Sequence, residues 1–455
     1  LYTVIHGSYD LSIIAARVNG GADHDIIAAQ LDYGYGVKAF DGATGTDLWN
    51  SYWIDSFPGP IASLAASDEF VFSNGYYEFG VLRVSNGATV YAYGKDEGRG
   101  PSPLIADINS DGCPEVFTFF GSVFGGTAVS IDGCATSYTT NWSMSLPYPA
   151  HSPALLRIGG QWYVAYPVID GVIRILNASN GMPHSAIFAG VPSSVSIYPD
   201  YTIATGNLDG VGSDEIVVPT PTSLTVYTWT GSSWNVLWNV STLSNASPVA
   251  LGDKDGDGLE DVWIVSGGEL MVFKGNNGNL LGQTSGLGVS SYYGSGHAPT
   301  LFDFNGDGTL DALVAHSLRY VRAVNGSTMS IMGTFGTTPY PITSEIIVIK
   351  LSSSEVGFSV GDMSCWVTTW GRCVLGYDDG TAVNEERDKR TFELVRDGVK
   401  VTSDELTDIV VYSVDGKKIR RYVVKGEVLI RFDDLPRGIY MVKIGKDVVK
   451  VITQP

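Results

Sequence analysis

Basic residues are scarce in this chain: 28 Lys and Arg stand against 48 Asp and Glu, for a formal net charge of −20. Nucleic-acid binding draws on a basic face that displaces counterions, so that class of partner is excluded. No apolar stretch reaches the roughly 18 residues that a membrane-spanning helix needs. The four cysteines form no Cys-x-x-Cys pattern, which removes a zinc ribbon, a thioredoxin-like site and c-type haem. Six histidines (His6, His24, His151, His184, His297 and His316) are scattered without His-Glu-x-x-His spacing, and neither a Gly-x-Ser-x-Gly elbow nor a P-loop occurs. No catalytic constellation emerges; His297, in "YYGSGHAPT", is the one histidine placed where a groove base could sit.

What remains is rich in glycine and unevenly charged. From Val383 to Pro455 there are 15 Lys and Arg against 13 Asp and Glu, which leaves 13 against 35 for the preceding 382 residues. Such a shift in composition marks a domain boundary, predicted near Asp379 to Asn384, with domains at 1–380 and 384–455. A start at Leu1 fits an exported protein that has lost a leader, and two local cysteine pairs, Cys113 with Cys134 and Cys365 with Cys373, fit disulfides formed outside the cytosol.

Self-similarity at a period of 42 to 50 residues is the strongest signal. The segments "IADINSDGCPEVF", "ATGNLDGVGSDEIVV", "ALGDKDGDGLEDVWIV" and "TLFDFNGDGTLDALVA" share one plan: a short apolar strand, the pattern D-x-[DN]-x-D-G-x-x-[DE], and a second strand. A further strand pair follows, commonly around Asn-Gly or Asp-Gly, as in "VKAFDGATGTDLW" and "LMVFKGNNGNLL". Weaker copies lie near Asn19, Ala65, Arg157 and Lys350; the first of them reads as having lost its acids. Eight four-stranded units of this length predict an all-β fold, a β-propeller with eight blades favoured over seven.

Alternating oxygens in a tight loop suit a hard cation with six to eight oxygen ligands, so calcium at about three sites is expected. The third unit offers Asp107, Asn109, Asp111, Glu115 and the carbonyl of Cys113; the sixth offers Asp253, Asp255, Asp257, Asp261 and the carbonyl of Leu259. The seventh offers Asp303, Asn305, Asp307, Asp311 and the carbonyl of Thr309. The fifth, with Asn207, Asp209, Ser213 and Glu215, lacks the central carboxylate and is the weaker candidate. An EF-hand is excluded because its twelfth position, a bidentate Glu, is here Thr118, Ile264 or Val314. Cys113 in the first turn and Cys134 in the second meet at one end of an antiparallel meander, which favours their bridge; Cys365 and Cys373 suit a cross-strand bridge in the last unit.

These acidic segments resemble the FG-GAP or VCBS repeats of integrin-α-like propellers, and the "VKAFDGATGTDLW" hairpin is similar to repeats of quinoprotein-like propellers. Beyond Arg390, "VYSVDGKKI" followed by "LPRGIYMVKI" reads as a small C-terminal β-sandwich and resembles the sorting domain of type IX secretion cargo. The resemblance implies an extracellular or cell-surface protein that serves adhesion, scaffolding or assembly. Its partner is then a protein or glycan at the cell surface, with self-association through the C-terminal domain. A glycan-binding protein or polysaccharide lyase using Tyr76, Tyr77, Tyr292 and Tyr293 is the other reading. Asn-x-Ser sequons at Asn141, Asn177, Asn239, Asn245 and Asn325 are compatible with surface glycosylation.

Overall fold

A computed structural model of the chain describes residues 2–5, 12–20, 23–30, 36–52, 63–75, 78–94, 102–122, 125–147, 152–168, 170–190, 203–287, 298–315, 320–335, 342, 346–350, 355–361, 366–374, 390–395, 398–413, 418–431, 439–444 and 447–452. It divides into two compact units, Leu1–Asp379 and Gly380–Pro455.

The first unit is a β-propeller. Among the described residues, seven sheets are each built from four consecutive antiparallel strands, and an eighth joins Tyr2–Ile5 to Ile347–Lys350, Glu355–Gly361 and Trp366–Val374. The innermost strands stand side by side around the ring. Ile13–Ala16 of the first blade lies next to Ser63–Ala66 of the second and also next to Ile347–Lys350 of the composite sheet, so the circle closes.

Burial explains why these sequences settle as blades. Second strands are covered by sheets on both faces and read as continuous apolar runs; in Asp261–Ser266 and Glu215–Pro219 every residue is buried. Fourth strands lie at the rim and turn polar or half-exposed, as in Thr89–Gly94. The core is distributed between neighbours: Val217, Val226 and Trp238 of the fifth blade pack with Val262, Ile264 and Phe273 of the sixth.

Two devices recur. The pairing of third and fourth strands shifts register close to the turn in all seven consecutive sheets, for example between Val272 and Phe273 and between Ala323 and Val324. Such a bulge re-aims the chain where the hairpin begins. A rim tryptophan also reaches into the next blade: Trp49 Nε1 donates to the Val84 carbonyl, Trp142 Nε1 to that of Ala178 and Trp238 Nε1 to that of Gly275, at 2.6 to 2.7 Å. The tryptophan of the "TGTDLW" turn is therefore an inter-blade fastener.

Among the described residues, the second unit holds five antiparallel strands in one sheet. Gly398–Ser413 is central: it pairs with Arg390–Val395, with Ile439–Ile444 and, along most of its length, with Lys418–Arg431. Its register breaks between Ser403 and Thr407; among the described side chains of the sheet, Ile409 and Val411 of this strand and Ile430 of its neighbour are the most buried. Residues 414–417 and 432–438, and any second layer of the expected β-sandwich, lie outside the described residues.

Candidate cation-binding loops

Each acidic segment closes the turn between the first and second strands of its blade. The ninth position sits at a fixed place: Glu115 pairs with Ala106, Glu215 with Gly206, Asp261 with Gly252 and Asp311 with Phe302, in each case across the last rung before the turn. These acids are buried, between 0 and 8 % exposed. Their carboxylates are held by backbone donors. Asp311 Oδ2 accepts from the N–H groups of Phe304 and Asn305 at 3.0 and 3.2 Å, and Oδ1 accepts from Gly326 at 2.9 Å. Asp261 repeats this with Lys254 and Gly275, at 2.9 and 3.1 Å. One acid thus ties both turns of a blade end together. Burial raises the pKa of Glu115, Glu215, Asp261 and Asp311 despite these bonds.

The remaining oxygens organise the turn itself. In the seventh blade Asp303 accepts from the N–H groups of Gly306, Asp307 and Gly308, Asn305 Oδ1 accepts from that of Asp307, and Asp307 Oδ1 accepts from that of Thr309. The third blade follows the same course: Asp107 takes the N–H groups of Asp111 and Gly112, Asn109 that of Asp111, and Asp111 that of Cys113. In the sixth, Asp253 takes those of Gly256 and Gly258, and Asp257 that of Leu259. Positions four and six are left-handed, which Gly256 and Gly258 accept freely; Ser110, at φ 62°, does so in the third loop with a side chain in place.

The donor set fits a hard cation. In the sixth loop, oxygens of Asp253, Asp255 and Asp261 lie within 4.8 Å of one another, and every side-chain donor in the third, sixth and seventh loops is a carboxylate or amide oxygen. Burial raises the pKa of Asp307, but the Thr309 N–H and the amides of Asn305 and Asn325 outweigh it, leaving the carboxyl below its usual range. The fifth loop departs from the plan. Ser213 Oγ accepts from Gly159 N–H and Asp214 from Arg157 N–H, both in the fourth blade, so Ser213 turns to the neighbouring blade instead of its own loop.

Residue-by-residue reading of the chain missed three participants. Asp25, in the unit read as having lost its acids, occupies the ninth-position rung opposite Ala16, is 2 % exposed and accepts from the N–H groups of Val18, Asn19 and Gly42. That reading is corrected: Arg17 and Gly21 stand where the other loops carry their first- and fifth-position acids, and the buried ninth-position tie remains. Lys274 and Asn325, which directly follow the third strands of the sixth and seventh blades, also reach into the loops. Their position just before Gly275 and Gly326 was the available signal.

Cys113 and Cys134 form a disulfide with Cα atoms 5.5 Å apart, linking the third loop to the opposite hairpin of its blade. Asn325 is only 9 % exposed and bound to Asp307 and Thr328, so it serves the loop and not the surface. Cys365, His297, Tyr76, Tyr77, Tyr292 and Tyr293 lie outside the described residues. A cleft of about 640 Å³ between the turns of the first three blades is lined by Arg17, His24, Asp68 and Glu69 among others.

A family model described as FG-GAP-like repeat matches residues 253–314, the span from the sixth loop to the strand after the seventh. Among solved structures, BamB from Moraxella catarrhalis is similar with a TM-score of 0.53 and 15 % identity, over 82 % of this chain and 99 % of that one. The Dos1 propeller gives a TM-score of 0.57 at 12 % identity, over 81 and 93 % of the two chains. Quinohemoprotein alcohol dehydrogenase from Comamonas testosteroni gives 0.53 at 10 %, over 82 and 76 %. At such identities the likeness is one of fold. No curated protein matches the chain.

Proposed function

We propose that this chain is a secreted or cell-surface, calcium-stabilised propeller that acts as a non-catalytic adhesion, scaffold or assembly protein, with its C-terminal unit mediating anchoring or subunit contact. The observation that carries this reading is the repeated loop in which an acid cluster fastens both turns of a blade end. Asp107, Asn109, Asp111 and Glu115, with their counterparts in the sixth and seventh blades, would hold the ion. Its charge would offset the carboxylate repulsion that otherwise splays the turn. The FG-GAP-like match supports an extracellular role. Calcium at a hundred times its dissociation constant would add roughly 2.7 kcal/mol per site.

Two measurements test this. Asp257→Ala and Asp307→Ala are expected to lower the melting temperature more in calcium than in chelator, where only the ion-free contacts of these carboxylates are lost; equal losses in both would remove the metal. A chain ending before Asn384 is expected to remain a calcium-dependent propeller that no longer anchors or assembles. The cleft beside Arg17, His24, Asp68 and Glu69 favours a second reading, glycan binding, which a glycan array with the intact protein would reveal. Degradation of an acidic polysaccharide would replace both readings with an enzyme.

A further inference from the structure

The sixth and seventh loops share their backbone course and their buried tie, yet differ at one cap. The residue after the third strand is in the same place in both: the Lys274 N–H donates to the Asn279 carbonyl and the Asn325 N–H to that of Ser330, opening the hairpin. The next residue, Gly275 or Gly326, donates to the ninth-position aspartate. In the seventh blade the cap is neutral, and Asn325 Nδ2 donates to Asp307 Oδ2 at 3.3 Å. In the sixth it is a cation. Lys274 Nζ bonds Asp255 and lies 2.6 Å from Asp257 Oδ2. These contacts depress the pKa of Asp257, chiefly through the Lys274 hydrogen bond, and raise that of Lys274, chiefly through Asp255.

Charge gives the difference a direction. The sixth loop carries four carboxylates, Asp253, Asp255, Asp257 and Asp261, and the seventh three, Asp303, Asp307 and Asp311, with Asn305 where the sixth has Asp255. Adding Lys274 brings the sixth from −4 to −3, the charge of the seventh. The extra acid and the lysine are therefore a matched pair, Asp255 with Lys274 in one blade and Asn305 with Asn325 in the other. A tethered ammonium on two carboxylates of the ligand set is a competitor for any ion that needs those oxygens, and it holds the loop together in the ion's absence.

Resting on the calcium reading above, we propose that Lys274 is a built-in counter-cation. It makes the sixth loop bind calcium more weakly than its four carboxylates would, and keeps that blade closed when calcium is low. The seventh loop, with Asn325, has no such substitute and is the calcium-dependent one. Asp255 and Asp257 are part-exposed, so the competition is modest: release of an ion pair of this kind corresponds to about a fivefold change in affinity.

The test isolates the sixth loop in the full chain by silencing the third and seventh with Asp111→Ala and Asp307→Ala. Calcium binding is then followed by calorimetry, and thermal unfolding is recorded in chelator. Lys274→Asn is expected to tighten calcium about fivefold and to lower the melting temperature in chelator. Lys274→Gln, which keeps more of the stem, guards against a folding defect. Adding Asp255→Asn to Lys274→Asn recreates the seventh-loop pairing and should recover melting temperature in chelator. Unchanged or weaker calcium binding in both single variants, with the parent still binding, overturns the role of Lys274 and leaves the calcium reading intact. Absence of calcium binding by the unmodified chain overturns the calcium reading and this inference with it.

Discussion

Trp238 Nε1 donates to the carbonyl of Gly275 at 2.6 Å, and a Cβ on Gly278 would lie 2.7 Å from the indole. The fifth blade is thus buttoned to the hairpin of the sixth by a hydrogen bond and a ring that fits only against glycine. Gly87 with Trp49 and Gly181 with Trp142 repeat the arrangement.

Trp238→Phe leaves the Gly275 carbonyl without its buried donor and is expected to cost about 1–3 kcal/mol in denaturant unfolding. Gly278→Ala adds a clash to the cost of a left-handed backbone at φ 70°. Gly286→Ala, at φ 78° with nothing within 4 Å of the added carbon, bears only the backbone cost of about 1–2 kcal/mol and should be the milder variant.

Asp25→Ala should be strongly destabilising without any calcium dependence. It strands the N–H groups of Val18, Asn19 and Gly42, now held at 3.0 to 3.3 Å, for an expected loss of about 2 kcal/mol or more. Thermal unfolding with calcium and with chelator should show equal losses. A loss seen only in calcium would give the first blade an ion.

Cys134→Ser opens the bridge that spans 21 residues and is expected to cost about 3 kcal/mol on the chain-entropy account. In the unmodified protein, alkylation without reductant should leave Cys113 and Cys134 untouched, as read by peptide mass. Labelling of either would mean a thiol pair.

His184 lies between Tyr163 and Trp229, with ring centroids 4.5 and 5.0 Å away, and desolvation lowers its pKa below the ordinary 6.5. The unfolded chain therefore takes up a proton at a pH where the folded one does not. This contribution is fully present above pH 6.5 and is lost as pH falls through the folded value. Comparing melting temperatures from pH 7.5 to 5 (about the window of the shift), His184→Gln should fall less steeply than the parent. Parallel curves would remove His184 from the pH response.

The blades were legible because they obey local rules: the Asp-rich turn, the Asn-Gly hairpin and the apolar second strand repeat along the chain. The place of the acidic loops, each in the turn between the first and second strands, was legible for the same reason. Asp25 was not, because its role depends on facing Ala16 and on meeting Gly42 from another hairpin, a relation that no spacing motif encodes. Lys274 escaped likewise: it is separated from Asp257 by two entire strands and appears as an ordinary charge beside a glycine turn. Ser213 shows the converse, a residue in register with a ligand position that the adjacent blade captures through Gly159.

Pairing of Tyr2–Ile5 with Trp366–Val374 also sets an order of events. Seven sheets can assemble from neighbouring strands as the polypeptide emerges, each bringing together residues a few dozen positions apart. The last must join Tyr2 to Thr369, the two ends of the unit, and its loop-closure entropy comes due only after everything between has been made. Until then the ring is open and Tyr2–Ile5 lacks the strand it pairs with. An arrest or nick before Trp366 would leave that strand open to pairing with other chains, a route to misassembly.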